Sequence, residues 1–251
     1  MELLFLGAGS AFTVGSANYH SNMLLRSVGG RRLLIDCGSD IRHSLHEQRL
    51  SYADIDDVYI SHLHTDHIGG LEYLGFNTLF DTACPQPRLF ISDELIEPLW
   101  DHSLRGGMGI IDTGTATLDS FFNVNPLTLK APLKWEGRRI DMLRLMHSVE
   151  PRLHSFGLMI DGPLEKAFLT TDTAFTPELL APYYSTADVI FQDCETATQR
   201  SGVHAHYDQL VTLPEAVRRK MWLYHYQPGT LPNALRDGFR GFVTKGQTFR
   251  L

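Results

Sequence analysis

The chain has 251 residues and a net charge of −7, with 43% hydrophobic and 20% charged residues, the composition of an ordinary globular protein. The acidic balance weighs against extended binding to nucleic acid, because phosphate contacts need clustered lysine and arginine side chains. No apolar run reaches the roughly 18 residues that a membrane span needs, and residues 1–7 lack the basic start and cleavage site of a signal peptide. We therefore expect no membrane association.

The three cysteines, Cys37, Cys84 and Cys194, are an odd number at unrelated spacings. This pattern is typical of reduced thiols rather than of a disulfide framework, and it predicts a cytoplasmic protein. No linker or change of composition divides the chain, so residues 1–251 are expected to fold as one α/β domain.

The first fifty residues predict strands followed by a helix. An apolar segment at 2–6 predicts a buried strand that runs into a glycine-rich turn. Residues 22–26 and 32–36 predict two paired strands, and residues 39–50 carry apolar side chains at helical spacing.

The next stretch concentrates potential metal ligands. His62, His64, Asp66 and His67 lie within six positions, after the apolar run 57–60 and before two glycines. A strand that ends in a loop and continues as a helix would direct all four side chains to one place. Imidazole nitrogens with one carboxylate suit zinc better than calcium or magnesium. The spacing predicts that His62 and His64 hold one ion and that Asp66 and His67 hold another.

The middle of the chain predicts less. Residues 71–79 are expected to continue as a helix, 88–91 to form a strand, and 93–104 to form a helix with Ser92 as its N-cap. The glycine- and threonine-rich segment 105–120 is interpreted as a solvated loop, with a mobile lid or a dimer contact as the alternative.

The second half alternates strands with polar residues. Strands are predicted at residues 121–124, 127–129, 139–146, 155–160, 167–171, 188–192 and 221–224, and a short helix at 214–219. Three further candidate ligands, His147, Asp172 and His225, directly follow such strands. The carboxyl ends of strands are the usual place for a site in a layered α/β fold, so we expect these residues near the first four.

The string HLHTDH at 62–67, preceded by a strand and followed by Ile-Gly-Gly, resembles the metal signature of the metallo-β-lactamase superfamily. The resemblance implies a four-layer αββα sandwich, two mixed sheets flanked by helices. It also implies a complete ligand set for two ions: His62, His64 and His147 for one, Asp66, His67 and His225 for the other, and Asp172 bridging both. Asp36, at the end of a predicted strand, is expected to orient a ligand histidine rather than to bind metal.

Within that superfamily the chain is most similar to ribonuclease Z and its phosphodiesterase relatives, through segments at 6–10, 147–158, 170–173, 188–195 and 204–206. A departing alkoxide needs a proton donor, and a histidine held by a carboxylate serves as one. The resemblance assigns this role to His204, supported by Glu195, with His206 as the second candidate. Asp66 is expected to accept the proton of the attacking water while binding metal.

Ribonuclease Z enzymes mostly carry a long arm that grips tRNA, and this sequence has no such insertion between its second-half ligands. Arm-less relatives, such as the phage anti-Pycsar enzymes and bacterial counterparts, open cyclic nucleotides. We therefore expect a phosphodiesterase that hydrolyses 3′,5′-cyclic mononucleotides by attack of metal-bound hydroxide, with two Zn²⁺ (or Mn²⁺) per chain. Homodimerisation is expected because relatives of this size are often dimers.

Three alternatives stay open at this point. The same ligands serve a tRNA 3′-processing endonuclease of the ribonuclease Z type. They also serve a lactonase or thioesterase, in which the metals promote acyl transfer. A metal-stabilised module without activity is the third.

Overall fold

A computed structural model of the chain describes residues 1–148 and 153–251. Its strands are β1 (Glu2–Phe5), β2 (Met23–Arg26), β3 (Arg32–Ile35), β4 (Asp57–Ile60), β5 (Arg88–Ser92), β6 (Ile110–Ile111), β7 (Gly114–Thr115), β8 (Asn123–Leu127), β9 (Leu133–Trp135), β10 (Arg138–Ser148), β11 (Leu153–Asp161), β12 (Lys166–Leu169), β13 (Val189–Asp193), β14 (Met221–Tyr224), β15 (Gly241–Phe242) and β16 (Thr248–Arg250). Its α-helices are α1 (Ile41–Glu47), α2 (Thr65–Ile68), α3 (Leu71–Phe80), α4 (Asp93–Pro98), α5 (Arg105–Met108), α6 (Leu118–Phe121), α7 (Pro177–Thr186), α8 (Tyr207–Leu210) and α9 (Glu215–Arg218).

The strands form two large mixed sheets. The first has the order β16-β1-β2-β3-β4-β5-β8, and the second has the order β15-β14-β13-β12-β11-β10-β9. In each sheet one half is antiparallel and the other half is parallel: β3, β4, β5 and β8 run together, as do β12, β13, β14 and β15. Parallel neighbours need crossover connections, which helices supply on the outer faces.

The burial pattern shows how the sheets stack. Leu3 and Phe5 of β1 belong to an apolar cluster that also contains Phe156 and Phe191 of the second sheet. Leu4, on the opposite face of β1, joins a second cluster with the helices outside the first sheet, and a third cluster lies under the helices of the second sheet. The strands are therefore covered on both faces, and the predicted four-layer αββα architecture with two mixed sheets is confirmed.

The sheets meet along the edge where the parallel strands end. The Tyr59 hydroxyl donates a hydrogen bond to the Phe156 carbonyl across the two sheets, at 2.7 Å. The His225 amide, just after β14, donates to the Ala8 carbonyl, just after β1, at 2.9 Å. This junction collects the loops after β3, β4, β12, β13 and β14.

Several element predictions were wrong in detail. Residues 105–120 are not a plain loop, because they hold α5, a β6–β7 hairpin and the start of α6, and their apolar side chains Met108 and Leu118 are buried against the first sheet. The predicted strand at 121–124 begins as the end of α6, and a single strand, β8, replaces the two predicted. The predicted helix 93–104 is α-helical to Pro98 and continues as a π-helical turn, and the Ser92 side chain makes no capping bond.

Helix α7 and the short strands β9, β15 and β16 were not predicted from the sequence. In the described ranges 1–148 and 153–251, no helix combines the length and the apolarity that crossing a membrane requires. Residues 149–152, inside one of the segments that carry the resemblance to ribonuclease Z, lie outside the described residues.

Candidate metal centre

The candidate ligands follow the ends of strands, except that His147 lies at a β-bulge within β10. His62 and His64 follow β4, and the four-residue helix α2 then turns Asp66 and His67 back to the same point. Gly38 allows this turn to pack closely, since a Cβ atom there would lie 2.1 Å from the Asp66 carbonyl oxygen. The pairing register between β10 and β11 shifts between Met146 and Ser148. A β-bulge of this kind changes the direction of a side chain, here that of His147.

Three imidazoles form the first group, here called the histidine cluster (His62, His64, His147). The Nδ1 atom of His64 lies 3.2 Å from His62 Nε2 and 3.2 Å from His147 Nε2. His62 and His147 are buried. Together with Asp172 these residues offer ligand atoms that all lie within 4.8 Å of one another.

The second group, here called the mixed cluster (Asp66, His67, His225), lies on the other side of Asp172. His67 Nε2 is 3.1 Å from Asp66 Oδ2 and 3.2 Å from Asp172 Oδ2. His225 Nε2 is 3.3 Å from Asp66 Oδ2 and 3.4 Å from Asp172 Oδ2. The Asp172 carboxylate also lies 3.7 Å from His62 Nε2, so it faces both clusters.

Hydrogen bonds behind the rings determine which nitrogen atoms face the centre. His147 Nδ1 lies 2.9 Å from the Val203 carbonyl oxygen and His67 Nδ1 lies 2.7 Å from Asp36 Oδ2, and each of these oxygens accepts a hydrogen bond from the ring. The Ser61 hydroxyl donates to Asp36 and leaves its oxygen as acceptor for His62 Nδ1. The rings of His62, His67 and His147 therefore direct Nε2 towards the centre, whereas His64 presents its Nδ1 atom there. Asp36 thus orients the His67 ring through its hydrogen bond to Nδ1, the kind of role that was expected for it from the sequence.

Cations fit this arrangement. Inward lone pairs of three neutral imidazoles repel one another unless an electrophile lies between them. Asp172 Oδ1 is buried without a hydrogen-bond partner in the described part of the chain, and His67 Nε2, despite carboxylate oxygens at 3.1 and 3.2 Å, makes no hydrogen bond of acceptable geometry there. Buried polar atoms of this kind are rare unless an ion or a water satisfies them. Imidazole and carboxylate donors suit Zn²⁺ and Mn²⁺.

The two clusters differ in charge. Burial, together with the neighbouring imidazoles, lowers the pKa of His62 well below its usual value, and burial also lowers the pKa of His64 and His147. Burial opposes ionisation of Asp172 too, but the adjacent His225 and His67 hold the pKa of that carboxyl well below its usual range. The histidine cluster thus stays neutral. The mixed cluster pairs carboxylates with imidazoles instead: burial alone would lower the pKa of His67 and His225, but Asp172 and the other carboxylates outweigh it and raise both pKa values well above the usual value.

His204 lies beside both clusters. Its ring centroid is 5.0 Å from that of His147 and 4.6 Å from that of His225. Its Nδ1 atom is 2.9 Å from Asp193 Oδ2. Burial alone would lower the pKa of His204, but the Asp193 carboxylate outweighs it and raises that pKa. A protonated imidazole next to the centre is a suitable proton donor.

The structure places Asp193, rather than the expected Glu195, in contact with His204. Both Glu195 carboxylate oxygens accept a hydrogen bond from the Ser201 amide instead. His206 points away from the clusters: its Nε2 atom contacts the Ala197 carbonyl at 2.9 Å, and its Nδ1 accepts from the Asp208 amide at the start of α8. The sequence signal for Asp193 was its place at the end of a buried strand, like Asp36 and Asp172.

Solved structures share this fold. The metallo-β-lactamase fold protein YhfI from Bacillus subtilis superimposes with a TM-score of 0.76 and 19% identity, covering 99% of this chain and 98% of YhfI. The fold and the convergent histidine and aspartate ligands define a metal-dependent hydrolase of the metallo-β-lactamase fold.

Sequence similarity gives the family. The family model described as Anti-Pycsar protein Apyc1 matches residues 1–249. An anti-Pycsar protein Apyc1 of Paenibacillus harenae is 36% identical over 228 residues, 90% of each chain. One of Bacillus phage vB_BveM-Goe7 is 32% identical, covering 98% of this chain and 96% of its own. The chain belongs to the anti-Pycsar Apyc1 family, and the resemblance inferred from the sequence is confirmed.

Proposed function

We propose that this chain hydrolyses small 3′,5′-cyclic mononucleotides with two divalent metal ions at the junction of its sheets. The observation that carries the proposal is the convergence of the histidine cluster and the mixed cluster on either side of one carboxylate, Asp172. Membership of the anti-Pycsar Apyc1 family supports a phosphodiesterase of cyclic nucleotides over an acyl hydrolase.

The six cluster residues and Asp172 would bind the ions. When bound, two divalent ions activate a water molecule and neutralise charge on the phosphoryl oxygens. The histidine cluster would hold one ion and the mixed cluster the other, with Asp172 shared between them. In this proposal Asp66 would also accept the proton that the attacking water releases.

His204 would protonate the departing ribose oxygen. Its contact with Asp193 fixes Nδ1 as the outward donor and leaves Nε2 to hold the transferable proton. Asp193 also contacts the metal-ligand candidate His225, with Oδ1 at 3.4 Å from Nδ1. One carboxylate thus orients both the proton donor and a ligand.

The finer assignments belong to the same proposal. Zinc is the expected ion, with manganese as the substitute, on the chemistry of the donors. A homodimer and a cytoplasmic location remain predictions, as does the folding of residues 1–251 as one domain, which the shared apolar cluster between the sheets supports. The substrate is expected to be a small anionic phosphodiester, attracted by the bound cations despite the net charge of −7.

The experiment compares substrates on the purified, metal-loaded protein: 3′,5′-cyclic nucleotides, a precursor tRNA with a 3′ trailer, and a lactone. Asp66→Ala serves as the inactive reference. We expect opening of the cyclic nucleotides with the tRNA and the lactone intact. Trailer removal with inert cyclic nucleotides would contradict the proposal and indicate a minimal tRNA endonuclease instead.

A further inference from the structure

Several residues beside the metal centre have a left-handed backbone conformation, which residues other than glycine rarely adopt. Among the described residues, the non-glycine positions with positive φ are Asp36 (62°), Arg49 (58°), Glu136 (49°), Thr171 (51°) and His225 (64°). Asp36, Thr171 and His225 each follow a strand at the junction of the sheets. Thr171 is the most unusual of them, because a β-branched side chain is strongly disfavoured in the left-handed region.

The Thr171 conformation is held by an interlocked pair of hydrogen bonds. The Thr171 hydroxyl donates to the Thr170 carbonyl at 2.6 Å, and the Thr170 hydroxyl donates to the Thr171 carbonyl at 2.9 Å. Both side chains are buried. The pair satisfies both hydroxyl groups within the turn, and because both residues are buried, the surrounding packing helps to keep a conformation that the chain alone would avoid.

This turn connects the groups that the reaction needs. Asp172 comes directly after Thr171, and its carbonyl accepts from the Ser155 hydroxyl of β11 at 2.5 Å. The Thr170 hydroxyl accepts from the Asp193 amide at 2.9 Å, and the Thr173 amide donates to the Asp193 carboxylate at 2.8 Å. One turn therefore positions both the carboxylate shared by the clusters and the carboxylate that holds His204.

We propose that Thr171 is a positioning residue. Its strained left-handed backbone and its hydroxyl hydrogen bonds with Thr170 hold the Asp172 carboxylate between the two clusters, and this strain lowers the stability of the fold. The inference rests on the proposed metal site. It predicts that stability and function respond in opposite directions when the strain is released. A residue that only supports the fold would make them fall together.

The test compares Thr171→Ala with Thr171→Gly, which differ by one methyl group. At ordinary positions alanine gives the more stable protein, because glycine has more freedom to lose on folding. At a position that requires positive φ the order inverts, since only glycine adopts it without a steric cost. Urea unfolding of the full-length chain in EDTA measures this without any contribution from metal. We expect the midpoint of Thr171→Gly to lie above that of Thr171→Ala.

Function is expected to follow the reverse order. Release of the strain lets the Asp172 carboxylate leave its place, so Thr171→Gly should bind Mn²⁺ at least roughly tenfold more weakly than Thr171→Ala, as measured by titration calorimetry. With a generic chromogenic phosphodiester as the probe, kcat should fall by a similar factor and KM should change little. Metal affinity and unfolding do not depend on the natural substrate, so these readouts remain valid if the cyclic nucleotide assignment fails.

Arg49, with φ 58°, is the matched control. It follows helix α1, away from the ligand clusters, and its substitution should also make glycine more stable than alanine. Arg49→Ala and Arg49→Gly should both keep wild-type metal affinity and kcat. The proposal is overturned if Thr171→Gly unfolds below Thr171→Ala, or if Thr171→Gly keeps the metal affinity and kcat of Thr171→Ala.

Discussion

The two ends of strand β4 both bury charge, and they compensate for it in different ways. At its beginning, Asp57 accepts hydrogen bonds from Arg31, Arg88 and Trp135 at 2.6–3.0 Å. Beyond its other end, the ligand clusters leave buried atoms such as His67 Nε2 without a hydrogen-bond partner among the described residues.

Hydrogen-bond partners distinguish a structural buried charge from one that belongs to a binding site. Removing a charge from water costs several kcal/mol unless partners replace the lost hydration. The protein provides those partners for Asp57 from its own side chains, so that site is complete without a ligand. At the other end the carboxylates face imidazoles rather than arginines, and Asp172 Oδ1 has no hydrogen-bond partner among the described residues, so we expect metal ions to supply the compensation. The following predictions test that contrast.

The largest effect is expected at the ligand clusters, beyond the carboxyl end of β4. Asp172→Ala removes the carboxylate that both clusters share, so neither ion keeps its full set of ligands. Turnover of a cyclic nucleotide should fall by roughly 10⁴-fold or more, and the metal content measured by mass spectrometry should fall below two ions per chain. The exposed Asp119→Ala serves as the control and should keep both values. An active, fully metallated Asp172→Ala protein would rule out the shared carboxylate.

The next effect concerns the proton donor. His204→Ala should lower kcat for a cyclic nucleotide by about 10²- to 10³-fold, in the range of a lost general acid. The loss should be much smaller with a p-nitrophenyl phosphodiester, because that leaving group departs without protonation. Steady-state kinetics on the two substrates separate the roles. Glu195→Gln should change kcat by less than about threefold; a loss as large as that of His204→Ala would restore Glu195 as the partner of His204.

A smaller effect, on stability alone, is expected at Asp57, where β4 begins. Asp57→Asn leaves two arginines facing a neutral amide in a buried site, at a cost of about 3 kcal/mol in the free energy of unfolding. Urea denaturation measures it, and kcat of the remaining folded protein should be unchanged. Asp101→Asn, which breaks an exposed pair with Arg105, should cost little. Loss of bound metal in Asp57→Asn would show that the two ends are not independent.

The smallest effect is the pH dependence of that same group. Burial raises the pKa of Asp57, but hydrogen bonds from Arg88, Arg31 and Trp135 outweigh it and lower the pKa to about 2, against an ordinary 3.8. A lowered pKa in the folded state stabilises the fold above pH 3.8, and the stabilisation is lost as pH falls through 3.8 toward 2. The contribution of about 2 kcal/mol should be absent from the acid unfolding profile of Asp57→Asn. Identical slopes for the two proteins between pH 4 and 2 would contradict it.

The sequence predicted most of the metal centre because its ligands follow apolar strands, and parallel strands deliver their ends to one edge. It did not distinguish Asp193 from Glu195 as the partner of His204. Asp193 ends β13 and Glu195 follows it, and both are buried. The choice between them depends on how the loop 196–205 folds back, which is a long-range property. Helix α7 was missed because Pro177 and Pro182 obscure its pattern, although Leu180 and Tyr184 form a buried face. Short edge strands such as β15 have too few residues to show a period.

We propose that two metal ions bind at the ligand clusters beyond the carboxyl end of β4 and perform the hydrolysis. The most direct measurement strips the protein with a chelator and restores Mn²⁺ or Zn²⁺ in known increments while following hydrolysis of a 3′,5′-cyclic nucleotide. We expect no hydrolysis by the stripped protein, and we expect the rate of hydrolysis to rise with added metal and to reach its plateau at two ions per chain. Activity that survives complete removal of metal, or that reaches its plateau at one ion per chain, would contradict it.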